Sequence, residues 1–214
     1  MTAADHRPVW YASYGSNCSR ARFLVYLRGG RAAGATRQQV GARDSRDPTG
    51  DGAVRFDTAV CFSGYAKNWG GAPAFLEHEP SERPGALGRR YRVTRQQFAD
   101  VLAQESRRDF DSIELPELDG LDPGTRVVIG EGFYDALVVL EPIDGVPCVS
   151  FTSPTPPEAR EPAAPSESYL RTIVSGLAEV HELEGEALAG HLTTSRGVQP
   201  TWTRDRITAL LRPH

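Results

Sequence analysis

The stretch Val9-Trp10-Tyr11-Ala12-Ser13-Tyr14-Gly15-Ser16-Asn17 reads as a short apolar strand that ends in a tight polar turn. Ser19-Arg20-Ala21-Arg22-Phe23-Leu24-Val25-Tyr26-Leu27 follows as a helix, and Gly29-Gly30 supplies its stop. A strand that feeds a glycine turn and a helix start aims several backbone N–H groups in one direction. Such a concavity suits a carboxylate or a developing oxyanion. The same residues also fit an ordinary strand-to-helix turn, in which Gly15 does no more than supply an unusual backbone angle.

Downstream, residues 31–52 carry Arg, Gly, Asp and Pro without an apolar period, which predicts a long, mobile loop able to cover the site. Its arginines can bind an anionic substrate or simply be solvated. Strand character resumes over 54–62. Tyr65-Ala66-Lys67-Asn68-Trp69-Gly70-Gly71 is turn-rich and leads into another strand over 72–78. A tryptophan beside Gly70 and Gly71 can wall a pocket while the backbone approaches a ligand closely; it can equally be a core aromatic before a turn. His78, between Glu77 and Glu79, reads as a surface residue.

A strand over 85–93 is followed by Thr94 as an N-cap and a helix over 95–105. Phe98, Val101 and Leu102 stand at helical spacing and mark its buried face. Glu105 lies on or beside that face. A carboxylate there is out of place unless it is paired or functional, or unless the helix end frays into solvent. Residues 115–125 are acidic and turn-like. Segments 133–140 and 146–151 flank Asp144-Gly145 as a hairpin. An irregular, proline-rich crossing over 153–165 leads to Ser166, which caps a helix through 179 with Tyr169, Leu170, Ile173, Val174 and Leu177 on one face. Shorter helices are expected near 184–191 and 204–211. The order predicts one α+β domain over 1–214, helical from 166 onward.

With 214 residues and a net charge of −4, the chain has no global positive field to hold nucleic acid. Its longest apolar runs are strand-length, and its first residues lack the apolar core of a signal peptide, so no membrane partner and a cytoplasmic location are expected. Cys18, Cys61 and Cys148 form neither a metal pair nor a disulfide framework, which agrees with a reducing compartment. Cys18 beside the turn is a candidate nucleophile or a small buried residue. Nucleophile-elbow, phosphate-loop and dinucleotide motifs are missing, and the histidines are scattered, so neither a catalytic metal nor a cofactor is expected. Arginine replaces lysine everywhere except at Lys67, a hint of GC-rich coding.

In this order, Tyr14-Gly15-Ser16-Asn17, Trp69-Gly70-Gly71, Glu105 and Pro165-Ser166-Glu167-Ser168-Tyr169 resemble the gamma-glutamylcyclotransferase family, over roughly 9–192. The resemblance implies a small mixed β-barrel with peripheral helices and an active site at the barrel mouth. It implies release of 5-oxoproline from gamma-glutamyl amides, with Glu105 as acid/base and Tyr14, Gly15, Ser16, Asn17, Trp69 and Gly70 binding the substrate. It also points to bacterial relatives, some of which remove a gamma-glutamyl protecting group in natural-product biosynthesis. The chain departs from the family where Ser106 follows the glutamate. It departs again where site aromatics fall on Phe110 and Phe151, which lack a hydroxyl, and in the long 31–52 loop.

That chemistry needs few parts. The substrate's own α-amine attacks its γ-carbonyl, and holding the chain folded is worth ~7–11 kcal/mol of barrier. One carboxylate can take the ammonium proton and return it to the leaving amine. The partner is then a small gamma-glutamyl substrate, and the protein is a monomer or homodimer. Another amide-cleaving or acyl-transfer enzyme on the same scaffold, a metal-dependent deacetylase, and a non-catalytic binder of an acidic metabolite are the alternatives.

Overall fold

The computed structural model describes residues 5–31, 38–183 and 185–211. In chain order the elements are β1 (Pro8–Ser13), α1 (Arg20–Arg28), β2 (Gly50–Arg55), β3 (Val60–Phe62), β4 (Ala74–Leu76), β5 (Leu87–Thr94), α2 (Arg95–Ser106), β6 (Arg126–Val128), β7 (Ala136–Ile143), β8 (Val146–Thr152), α3 (Glu167–His181), α4 (Gly185–Leu192) and α5 (Arg204–Leu210). Short 3-10 turns occur at Ser16–Cys18, Phe110–Ser112 and Pro157–Ala159.

The opening strand is the inner strand of a six-stranded sheet ordered β2-β5-β1-β8-β7-β6. It runs antiparallel to β5, pairing Tyr11 with Tyr91, and parallel to β8, pairing Tyr11 with Val149. Alternation along a strand sends successive side chains to opposite faces. Here both faces are buried. Val9 and Tyr11 join a core with Phe23 and Leu27 of α1 and Phe98, Val101 and Leu102 of α2. Trp10, Ala12 and Tyr14 join a second core with Leu170, Ile173, Val174 and Leu177 of α3, Leu188 of α4 and Ile207 of α5. This explains why the stretch is apolar throughout rather than on alternate residues.

The α+β class holds, but a barrel does not form among the described residues. The six-stranded sheet is open, with β2 and β6 at its edges, and β3 and β4 form a separate two-stranded ribbon. The single strand expected over 54–62 is broken: β2 ends at Arg55 and β3 begins at Val60. The strand β2 also reaches back to Gly50, inside the expected loop, and β6 had no strand signal. Asp144 and Gly145 both take positive φ (51° and 72°), which is the two-residue hairpin turn between β7 and β8.

Of the 31–52 segment, 32–37 lie outside the described residues. The 38–49 part is tied down. Arg43 pairs with the fully buried Asp100 at 2.7 Å, and Arg28 holds Asp47 at 2.7 Å. Gln97 donates to the Asp44 and Arg46 carbonyls. Arg43 and Arg46 therefore meet protein carboxylates rather than facing a substrate. His78 is half-buried instead of exposed, with its ring bonded to the Ser153 carbonyl at 2.8 Å. The helix expected from 184 is described from Gly185 on, since 184 lies outside the described residues.

Two contacts fix α3 against the opening turn and the sheet. Gly176 lies directly on the Cys18–Ser19 backbone, where a Cβ would collide with the Ser19 nitrogen and the Cys18 carbonyl. At the end of the helix, His181 donates from Nε2 to the Gly88 carbonyl of β5 at 2.7 Å. Gly176→Ala sets ~1 kcal/mol of helix propensity against a main-chain collision that no side-chain rotation relieves. We expect a net loss on the order of 2 kcal/mol in chemical denaturation; a stabilised variant would show that the helix does not seat on this turn.

The histidines give a pH dependence. Burial lowers the pKa of His181 and of His191 below the ordinary 6.5; Arg55 lowers both further, while the Gly88 bond opposes the shift at His181. The unfolded chain therefore binds more protons, so this contribution is complete above about pH 6.5 and fades as pH falls through the folded values. Thermal denaturation between about pH 7 and 5 should show a shallower loss of Tm in His181→Gln/His191→Gln than in the wild type; equal slopes would refute the assignment.

Candidate active site

After Ser13 the chain passes through Tyr14 and Gly15 into the 3-10 turn, and Ser19 then caps α1 by accepting from the Arg22 N–H. Gly15 has φ −106°, so it is not there for a left-handed angle. An added Cβ would stand 3.2 Å from the Tyr169 hydroxyl, a tight contact that the tyrosine would have to yield to by a few tenths of an ångström. Among the described residues the N–H groups of Ser16 and Asn17 have no backbone partner, as at any helix start.

Asn17 joins this turn to the distant helix α2. Its buried side-chain amide donates to Glu105 Oε1 at 3.0 Å and to the Tyr11 hydroxyl at 3.2 Å. Its backbone carbonyl accepts from the Tyr91 hydroxyl of β5 at 2.7 Å. Glu105 stands on the last turn of α2, half-buried, one turn beyond the fully buried Val101. The capping box of Thr94 and Gln97 sets where that helix starts, and so where its last turn falls.

Tyr26 of α1 is buried and faces the same carboxylate. Burial, and then the Glu105 charge, push its pKa well up. Its oxygen accepts from Arg22 Nη2 at 2.8 Å. A guanidinium has no acceptor, so the tyrosine's own proton is left to point elsewhere, and Glu105 is within reach. Arg22 itself is unusual. It is only 3% exposed, its Nε and Nη1 have no hydrogen-bond partner, and it lies over the Tyr26 and Trp69 rings at 4.6 and 5.5 Å.

A cavity of about 410 Å³ opens over this cluster. Tyr14, Gly15, Ser16, Asn17, Trp69 and Glu105 all line it. Trp69 is buried against Tyr169, ring centroids 4.8 Å apart. Tyr14 contributes its ring, while its hydroxyl is committed to the Phe151 carbonyl at 2.8 Å. Gly70 is the exception. It sits on the exposed outer side of the turn at φ 69°, outside the lining. Gly71 makes the close backbone approach instead, against Pro165 and Ser166. Phe151 lines the cavity, but Phe110 packs under Arg43, away from it.

Tyr11, Tyr26, Lys67, Arg107 and Tyr134 also line the cavity, and no sequence motif marks them. Tyr26 follows Arg22 by one helical turn, a spacing that sequence alone reads as packing. Cys18 is not an available nucleophile: burial pushes its thiol up to about 12, so it stays protonated near neutral pH. Among the described residues no three His, Cys, Asp or Glu side chains group as metal ligands.

No family model matches the chain. Its sequence is 27% identical over 198 residues to a protein named "Histone deacetylase 5" from Arabidopsis thaliana. The match takes in 86% of this chain but 30% of that protein, so the chain spans under a third of the relative's length. A solved structure titled "Gamma-glutamyl cyclotransferase" superposes with a TM-score of 0.50 at 14% identity, covering 97% of this chain and 90% of that one. The chain thus shares the fold of that protein.

Arg22 carries a test of its own. Replacing a buried charge that lacks a carboxylate partner by an apolar side chain of similar length removes a desolvation penalty. Arg22→Met should leave stability within ~1 kcal/mol of the wild type or raise it. A loss much beyond that in urea denaturation would make Arg22 a structural cation rather than one retained for the site.

Proposed function

We propose that this chain is a gamma-glutamylcyclotransferase-like enzyme that releases 5-oxoproline from a gamma-glutamyl amide. The observation that carries the reading is the 3.0 Å bond between Asn17 and Glu105, which puts the polar turn and a lone carboxylate in one cavity. The glutamyl group occupies the inner end, with its anionic or developing oxyanion oxygen toward the turn at Gly15, Ser16 and Asn17, and its aliphatic chain against Trp69.

Glu105 takes a proton from the substrate's α-ammonium. The freed nitrogen attacks the γ-carbonyl carbon and the lactam C–N bond forms. As the bond to the leaving amine breaks, Glu105 returns the proton to that amine, and the second proton, shed by the attacking nitrogen as the lactam forms, leaves with the amine as its ammonium. The step consumes no water and needs no enzyme nucleophile, metal or redox group. Asn17 and Tyr26 act by holding the carboxylate in place, and misplacing it by an ångström is costly to such a reaction.

Hydrolysis of the same amide is the second reading, prompted by the deacetylase name of the Arabidopsis relative, of which the match takes in 30%. Mass spectrometry of the product separates the two, because hydrolysis gives glutamate and cyclisation gives 5-oxoproline, one water lighter. Glu105→Gln still offers Asn17 an acceptor, so it should fold with wild-type Tm while kcat falls by at least ~10²-fold. A Gln variant that keeps near-wild-type release of 5-oxoproline would remove Glu105 from the mechanism.

A further inference from the structure

The cavity differs sharply between its two ends. The inner end is built from buried, mutually bonded groups. The outer end holds Tyr65 and Phe133, 64% and 52% exposed, which are among the few large apolar side chains in the described residues that face solvent. Phe133 is held in place: its ring stacks on the fully buried Phe75, centroids 5.9 Å apart. An exposed ring backed by a buried one in a cavity wall makes a platform for an apolar or aromatic group.

Two exposed cations also belong to the lining. Lys67 and Arg107 both line the cavity, and among the described residues neither has a carboxylate partner. Arg43 and Arg89, by contrast, serve the fold; Arg43 pairs with Asp100 and Arg89 with Asp51 and Glu179. Arg107 is the residue after Ser106 that ends α2, and it takes the left-handed conformation at φ 56°, ψ 43°. Glycine is the usual occupant of that position, because a side chain crowds the backbone there. An arginine with no carboxylate partner among the described residues therefore stands, against local backbone preference, in the lining of the cavity. Among the described residues Glu105 is the sole carboxylate in the lining, and it is half-buried and bonded to Asn17.

We infer that the leaving-amine half of the substrate is aromatic and carries an anionic group, the ring packing between Tyr65 and Phe133 and the anion facing Lys67 and Arg107. The inference rests on the cyclotransferase reading of the inner end and names the substrate class that the outer end selects.

The test uses gamma-glutamyl amides of phenylalanine, phenethylamine, alanine and ethylamine, which separate ring from charge. Release of 5-oxoproline is measured as kcat/KM. The phenylalanine amide should lead the ethylamide by roughly tenfold or more, with ring and anion each contributing about threefold or more. In Lys67→Met/Arg107→Gly the advantage of the anionic over the neutral amides should collapse. Glycine suits the backbone at 107, so this variant should fold. Release at similar rates from all four amides, or faster release from the neutral or the small ones, would overturn the inference and leave the cyclotransferase reading standing. No 5-oxoproline from any of the four would sink the reading and the inference with it.

Discussion

The side-chain amide of Asn17 has two hydrogens in one rigid plane, and both are used: one goes to Glu105, the other to the Tyr11 hydroxyl. The same residue's carbonyl accepts from Tyr91. One buried residue thus ties together the end of β1, the neighbouring strand β5 and the last turn of α2. An aspartate at this place would have nothing to donate, and an apolar residue would leave buried oxygens unpaired at ~1–3 kcal/mol each. The position of the carboxylate, and so of the whole inner cavity, hangs on this donor pair.

That arrangement works because the surrounding layers leave it little freedom. The strand β1 is packed on both faces, with α1 and α2 on one side and α3 to α5 on the other. The turn after it is pressed from behind by α3, which comes so near at Gly176 that no side chain fits between. Tyr169 fills the space that a side chain on Gly15 would need. A polar loop that would ordinarily be mobile is therefore held from several directions, which is the support that a preorganised site requires.

Arginine is used in two different ways around this centre. Arg43, Arg89 and Arg95 make ion pairs that join loops to helices and strands, each to a carboxylate in reach. Among the described residues Arg22 and Arg107 make none. Arg22 is buried beside Tyr26 and Trp69, with two donor nitrogens unused, and Arg107 stands at the rim in a conformation that favours glycine. Charges placed at a cost to the fold tend to mark function. Their separation, one behind the inner wall and one at the mouth, matches a site with a fixed inner end and a selective outer one.

Much of the local structure was legible in the sequence. The apolar run of Val9 to Ser13, the Thr94 and Ser166 caps, the Gly29 stop and the Asp144-Gly145 turn each express preferences of a few adjacent residues, and each appears where the pattern puts it. Glu105 stood out because a carboxylate next to Val101 and Leu102 conflicts with its own helix face. Local signals could not separate Gly70 from Gly71, because what distinguishes them is the backbone at Pro165 and Ser166, far along the chain. Nor could they reveal the open sheet, since closure depends on whether edge strands meet, or the unpaired state of Arg22, which is defined by what fails to surround it. The sequence by itself determined the elements and the odd carboxylate, through short-range sterics and periodicity. Only the tertiary structure decided that Asn17 reaches Glu105 across 88 residues, because that hydrogen bond exists only once both cores have packed around β1.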